Sequence, residues 1–432
     1  MKTIFWNNAT PNDKEAVLSR PLHKSDLSLT QSVQHILADV KAHGDEALYR
    51  FSQQFDHVDL KEWKVPSQVL ANALAALSPS LRQAIENAKA NITTFHRQAY
   101  PTDTKVETLP GVHCQLLWRP LEVVGLYVPG GSAPLFSSVL MQAIPAHIAG
   151  CPHILLCTPP QKDGTIHPAI LAAAQLCGIT NVYALGGAQA IAAMAYGSTS
   201  IPKVDKIFGP GNAYVTEAKQ QVSQDPLGAA IDMPAGPSEV MVIALPEAHP
   251  SWVAADLIAQ AEHDIQAQAI LVTTDDVFAQ KVEKELQFQL ASLPRRAIAE
   301  QSLADRRVVI VPDMATALEV ANRYAPEHLI IHNDDAETWL PHIHHAGSVF
   351  CGSFTPESAG DYASGTNHVL PTNGYARAYN GLNIYSFMKS MTVQHLTRKG
   401  LHTLSDTIIT MAEAEGLAGH ARAVSIRKET KA

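Results

Sequence analysis

The feature that most constrains this chain begins near residue 122, where short apolar, β-branched runs alternate with stretches long enough to be helices. A first series of runs covers 122–128, 153–157, 181–184 and 206–208; a second covers 239–244, 269–273, 307–311, 328–331 and 348–351. Antiparallel strands can be joined by a tight turn, whereas parallel strands need a crossover of a dozen or more residues. The gaps here are of the second kind, and 135–149 and 212–224 read as crossover helices. The order predicts an α/β fold with mostly parallel sheets. A break at 230–237 separates the two series, so two doubly wound modules are expected; no residue-level repeat makes one a copy of the other. Upstream, 28–55 and 66–98 carry helical spacing, as in Val33, Ile36, Leu37 and Val40. Beyond about residue 380 the strand signals fade. The amphipathic stretch 405–418 predicts an appended helix that packs on a partner chain.

A length of 432 residues fits two or three domains, and 46% hydrophobic against 17% charged residues means ordered cores rather than a disordered chain. Lys and Arg number 32 against 41 Asp and Glu, and a net charge of -9 argues against a nucleic-acid partner. The cysteines, Cys114, Cys151, Cys157, Cys177 and Cys351, are odd in number with no C-x-x-C pair, so neither a disulfide framework nor a cysteine zinc site is expected. Residues 1–20 lack an apolar signal core, and the most apolar stretch, 135–157, is broken by Pro145, His147, Pro152 and His153. No membrane span is expected, and a cytoplasmic, reducing location fits these features.

Three loops cluster Gly and Pro: 128–134, 186–189 and 209–212. Each follows a strand candidate and precedes a helix candidate, where open α/β sheets bind ligands and where backbone N–H groups can meet a phosphate. None is G-x-G-x-x-G, since Tyr214 stands where the third glycine belongs. Taken singly, each also reads as a tight strand-to-helix turn.

Four polar groups in the second half could carry chemistry. Gln260 and His263 are three apart on an expected helix and would share a face, as metal ligands or as a polar helix end. Glu327 and His328 are adjacent acid/base groups where a strand begins. Neighbouring strand residues point to opposite faces, so both reach one substrate only at an irregular strand end. Asp361 lies in the polar run 355–368, expected as a loop, where it could be a ligand or a turn aspartate. Glu415 and His420 flank Gly416 and Gly419, which are expected to end the tail helix and leave His420 beyond it. These residues form no spacing motif.

Together, the strings 125–131, 207–215, 231–239, 260–264, 325–329 and 360–371, in order and followed by Glu415 and His420, resemble the histidinol dehydrogenase family over nearly the full chain. The resemblance implies two Rossmann-like doubly wound domains plus small helical terminal elements. Their bounds would be a 1–24 arm, a discontinuous first domain of 25–108 and 237–380, a second domain of 109–236 on the NAD side, and a 381–432 tail exchanged with the partner of a homodimer. It implies one zinc per subunit on Gln260, His263, Asp361 and His420, and Glu327 and His328 as catalytic residues. Substrate contacts would come from Ser238, Glu415, His328 and the zinc residues, and NAD contacts from Tyr127, Gln189 and Asn212.

The implied reaction takes L-histidinol through L-histidinaldehyde to L-histidine, the last step of histidine biosynthesis, with two NAD. Zinc has no redox chemistry and would orient the substrate through its imidazole and amine nitrogens. His328 suits removal of the hydroxyl proton, and Glu327 suits activation of the water that adds to the aldehyde. A cysteine thiohemiacetal is the competing scheme, but nothing in the sequence singles out Cys114, Cys151 or Cys351 for it. The rival readings are a zinc and NAD dehydrogenase of another amino alcohol, a zinc hydrolase that never binds NAD, and a non-catalytic binding protein.

Overall fold

The apolar runs pair side by side in the computed structural model, which describes residues 2–20, 27–130, 134–234 and 236–429. The chain opens with β1 (Lys2–Phe5) and α1 (Pro11–Leu18), and continues with α2 (Leu27–His43), α3 (Asp45–Phe51), α4 (Ser67–Ala76) and α5 (Pro79–Gln98). A hairpin of β2 (Thr104–Leu109) and β3 (Val112–Pro120) leads into β4 (Val123–Tyr127), α6 (Phe136–Ala149), β5 (His153–Thr158) and α7 (Pro168–Leu176). Then come β6 (Asn181–Ala184), α8 (Gly187–Tyr196), β7 (Lys206–Phe208), α9 (Ala213–Gln224) and β8 (Ala230–Ile231). The second series is β9 (Glu239–Ala244), α10 (Pro250–Ala261), β10 (Gln268–Thr273), α11 (Asp276–Leu290), α12 (Arg296–Ala304), β11 (Arg307–Ile310), α13 (Met314–Tyr324), β12 (His328–His332), β13 (Ser348–Cys351) and α14 (Glu357–Tyr362). The chain closes with β14 (Met388–Leu396), α15 (Arg398–Ala414) and α16 (Ala418–Glu429).

Two sheets are parallel throughout, ordered β6-β5-β4-β7-β8 and β1-β11-β10-β9-β12-β13. Side chains alternate between the two faces of a strand, and both faces are covered. In β9, Val240 and Val242 enter the core under α10 and α11, while Met241 and Ile243 enter the core under α13. In the five-stranded sheet, Leu126 packs on the α6 and α7 side and Tyr127 on the α8 and α9 side. The architecture is α/β with Rossmann-like, doubly wound sheets.

The structure departs from the expected outline in several places. The helices α2 to α5 bury Val33, Leu48, Leu70 and Ile92 against the five-stranded sheet and its helices, not against the six-stranded one. The apolar stripes of α2 and α4 face α8 and α7, so 25–108 does not join 237–380 as the resemblance implied. The helical stretches are also broken, at Gly44 with φ 51 and at Ser78, whose hydroxyl caps α5. Strands lie outside both predicted series: β1 extends the six-stranded sheet beside β11, and β14 joins β3 and β2 in an antiparallel sheet. β14 is mostly exposed and polar, so its sequence carries no buried run; main-chain pairing with β3 makes it a strand. The tail forms two helices: α15 ends at Gly416 with φ 75, but Gly419 and His420 start α16 rather than lying beyond a helix. Among the described residues no helix is long and apolar enough to cross a membrane.

Candidate active site

Glu327 and His328 stand at the amino-terminal entry to β12, and both are buried. The split expected of neighbouring strand residues, one to the core and one to solvent, does not occur. Both are held by the main chain of Glu239, at the start of the adjacent β9. The Glu239 N–H donates to Glu327 Oε2 at 2.9 Å, and the Glu239 carbonyl accepts from His328 Nδ1 at 3.1 Å. The chain enters this position from Ala325, which closes α13 in the left-handed region with φ 55. Gly347 presses against it, donating its N–H to Pro326 O at 2.9 Å; a Cβ there would come within 2.6 Å of the Glu327 carbonyl oxygen. The Glu239 side chain is buried and gripped by Arg20, with Nε to Oε1 at 2.5 Å and Nη2 to Oε2 at 2.8 Å.

Because Nδ1 of His328 donates to a carbonyl, the ring's remaining lone pair sits on Nε2. That atom is buried without a hydrogen-bond partner among the described residues and lies 3.9 Å from Asp361 Oδ1. Burial, reinforced by the His263 and His368 rings, pushes the His328 pKa down to about 3 and keeps the ring neutral. Burial pushes Glu327 the other way, well above the usual carboxyl range, with the Glu239 N–H opposing and the Glu239 and Asp361 charges adding.

Asp361 lies on α14, not in a loop, and burial raises its carboxyl to about 7. Its helix begins with Glu357, a residue that sequence reasoning missed. Glu357 is buried, neither carboxyl oxygen has a hydrogen-bond partner among the described residues, and Oε1 lies 3.8 Å from His328 Nδ1. His263, Glu357 and Asp361 can bring their ligand atoms within 4.8 Å of one another. Gln260 is on the last turn of α10, fully buried, and neither its amide oxygen nor its amide nitrogen has a partner among the described residues. His263 lies just past the helix in a turn, exposed, its N–H bonded to Gln260 O at 3.2 Å, so the two do not share a helix face as expected. A buried polar atom without a partner costs about 1–3 kcal/mol, and Gln260, His328 and Glu357 concentrate that cost at one place. An imidazole, two carboxylates and an amide in need of a partner fit a divalent metal such as zinc.

His368 also escaped sequence reasoning. Its Nδ1 bonds the Asp361 carbonyl at 2.8 Å and its Nε2 meets Ser138 Oγ of α6 at 3.1 Å. It stands within a string already noted, but its role depends on α6, more than 200 residues earlier in the chain. Ser238, immediately before β9, is half-buried and its carbonyl accepts from Gln268 N at 2.9 Å. Glu415 caps the end of α15 and His420 opens α16; both are exposed, and His420 is not in the metal-ligating group of its own chain.

The Gly-rich loops converge at the carboxyl edge of the five-stranded sheet. The chain runs outward from β4 to β6 and then returns to β7 on β4's other side, so the strand order reverses between β4 and β7. Such a reversal opens a crevice for ligands. The Tyr127 hydroxyl accepts the Gly187 N–H at 3.1 Å, and buried Gln189 donates to Asp56 at 3.4 Å. Asn212 caps α9 through Oδ1 at 3.1 Å from Val215 N and is exposed. Gly209 has φ 110, and a Cβ there would strike the Tyr127 carbonyl. Lys219 and Asp232, both buried at their charged ends, clamp this glycine through its carbonyl and its N–H at 2.8 Å each. Residues 131–133 of the first loop lie outside the described residues.

The family model described as histidinol dehydrogenase matches residues 19–428. The chain belongs to the histidinol dehydrogenase family. A histidinol dehydrogenase of Vibrio vulnificus is 50% identical over 429 residues, spanning 99% of each chain. One from Xanthomonas campestris pv. campestris is 50% identical over 427 residues, again 99% of each. The crystal structure of histidinol dehydrogenase from Elizabethkingia anophelis superposes with a TM-score of 0.96 at 47% identity, covering 99% of this chain and 98% of that one. As a member of the histidinol dehydrogenase family, the chain is an oxidoreductase enzyme with a place in histidine biosynthesis.

Proposed function

We propose that this enzyme oxidises L-histidinol to L-histidine through L-histidinaldehyde, consuming two NAD. The observation that carries the reading is the anchoring of both Glu327 and His328 by the main chain of Glu239, with His328 Nε2 beside the His263, Glu357 and Asp361 group. Gln260, His263 and Asp361 would hold one zinc per subunit, with His420 arriving from the partner of a homodimer. The exposed α15 and α16 tail, with Glu415 and His420 outside their own chain's group, supports such an exchange. Zinc supplies an orienting centre for the imidazole and amine nitrogens of the substrate. NAD supplies the hydride acceptor, with Tyr127, Gln189 and Asn212 as its contacts in this reading.

His328 takes the hydroxyl proton on Nε2 in the first oxidation, its ring held in one tautomer by the Glu239 carbonyl. Glu327 takes a proton from the water that adds to the aldehyde; as a buried carboxylate it is a stronger base than an exposed one. Ser238 and Glu415 complete the substrate contacts. Cys151, Cys157 and Cys177 are buried with thiols pushed up to about 12, which argues against a thiohemiacetal route. The five cysteines are free, in keeping with a cytoplasmic enzyme.

The reading is tested by chelation. Activity on L-histidinol should fall when zinc is stripped and return with zinc, and NAD should raise the melting temperature of the zinc-loaded protein. A zinc-dependent hydrolase indifferent to NAD would contradict it.

A further inference from the structure

The crevice at the end of β4 holds a carboxylate that neither the metal group nor the acid/base pair uses. Helix α3 runs on into a π-helical turn, Ser52–Asp56, closed by His57 in the left-handed region at φ 58. Such turns occur often at functional sites. Asp56 is half-buried at the end of this turn. Its only hydrogen bond among the described residues is the long one from Gln189 Nε2, 3.4 Å, and it forms no ion pair with Lys or Arg. Burial lifts its carboxyl to about 6, and its charge reaches the Tyr127 hydroxyl. A partly desolvated carboxylate with one weak partner is costly unless a ligand supplies donors.

The two faces of the five-stranded sheet settle which part of a dinucleotide lies there. On the α6 face, Ser138 bonds His368, which bonds Asp361; this face leads to the substrate group. Asp56 ends the turn that follows α3, and Gln189 lies on α8; α3 and α8 pack on the opposite face. With the nicotinamide at the substrate, a cofactor laid across the end of β4 brings its far ribose to the α3 and α8 side. A vicinal diol offers a carboxylate two O–H donors, and a 2′-phosphate would meet its charge.

We propose that Asp56 accepts the hydroxyls of the adenosine ribose and selects NAD over NADP. This assignment rests on the NAD-dependent reading above. D56N, D56A and D56E would be compared with the wild type, zinc-loaded, for KM toward NAD, NADP and L-histidinol and for thermal stabilisation by each dinucleotide. D56N keeps the side chain's size, and D56E keeps the charge. The expected result for D56N and D56A is a KM for NAD raised about tenfold, a preference for NAD over NADP reduced at least about tenfold, and a KM for L-histidinol within about twofold of wild type. D56E should retain the preference. Unchanged preference in D56N, with the wild type still stabilised by NAD, would overturn the role of Asp56 alone. Absence of NAD stabilisation in the wild type would overturn the cofactor reading and this assignment with it.

Discussion

The Glu239 N–H donates to Glu327 at 2.9 Å, and the carbonyl of the same residue receives His328 at 3.1 Å, so one residue of β9 orients both proposed acid/base groups at the start of β12. Parallel pairing of β9 with β12 brings this about, since His328 sits in register with Val240. The site therefore lies at the amino edge of the six-stranded sheet, whereas the proposed cofactor loops lie at the carboxyl edge of the five-stranded one.

If Glu327 serves only water addition, E327Q should slow the aldehyde step by about a hundredfold or more and spare the alcohol step. Single-turnover kinetics starting from L-histidinol and from L-histidinaldehyde separate the two. Equal losses in both steps would remove Glu327 from water activation.

The grip of Arg20 on Glu239 is expected to support the whole arrangement. In R20M the buried Glu239 carboxylate keeps the Asn373 N–H at 3.0 Å but loses its cation. Breaking a buried pair from one side costs about 3–5 kcal/mol, so the urea midpoint should fall markedly and turnover with it. A stability change under about 1 kcal/mol would show that the pair does not brace the site.

Much of this was legible beforehand because parallel strands buried on both faces carry continuous apolar runs, and β4 to β7 and β9 to β13 follow those runs closely. Glu327, His328, Gln260, His263 and Asp361 were picked out as polar residues in unusual places, and the structure brings His328 to Asp361 and His263 to Asp361. Glu357 was not, because a Thr-Pro-Glu-Ser string reads as a solvated turn; only the packing of α14 on α10 buries it. β14 and β1 were missed because their stability comes from neighbours distant in the chain. The sheet on which α2 to α5 pack was not legible, because an amphipathic stripe says that a helix packs, not on which sheet; the grouping with 237–380 was implied by the resemblance alone.

His420 provides a test of tail exchange that is independent of catalysis. H420A should lose zinc on dialysis while its circular dichroism stays that of the wild type, because the residue is exposed and makes no core contact. Retention of one tightly held zinc per chain would exclude His420 as a ligand.

His96 makes stability depend on pH. It is 1% exposed in α5, neither ring nitrogen has a hydrogen-bond partner among the described residues, and burial pushes its pKa down to about 4. A depressed histidine pKa means that the unfolded chain binds the proton more readily, so its contribution is nil well above pH 6.5 and destabilising as pH falls from 6.5 toward 4. At pH 5 the penalty is roughly 2 kcal/mol. H96F removes it, so the stability difference between variant and wild type should shift in the variant's favour from pH 8 to pH 5. A difference independent of pH would refute this account of His96.

The central claim, two oxidations at one site, is tested most directly by counting NADH formed per L-histidinol consumed, with limiting substrate, excess NAD and zinc-loaded protein. Two NADH per L-histidinol is the predicted result. One would mean that the reaction stops at the aldehyde and that Glu327 has no water to activate, and none would contradict the proposed substrate.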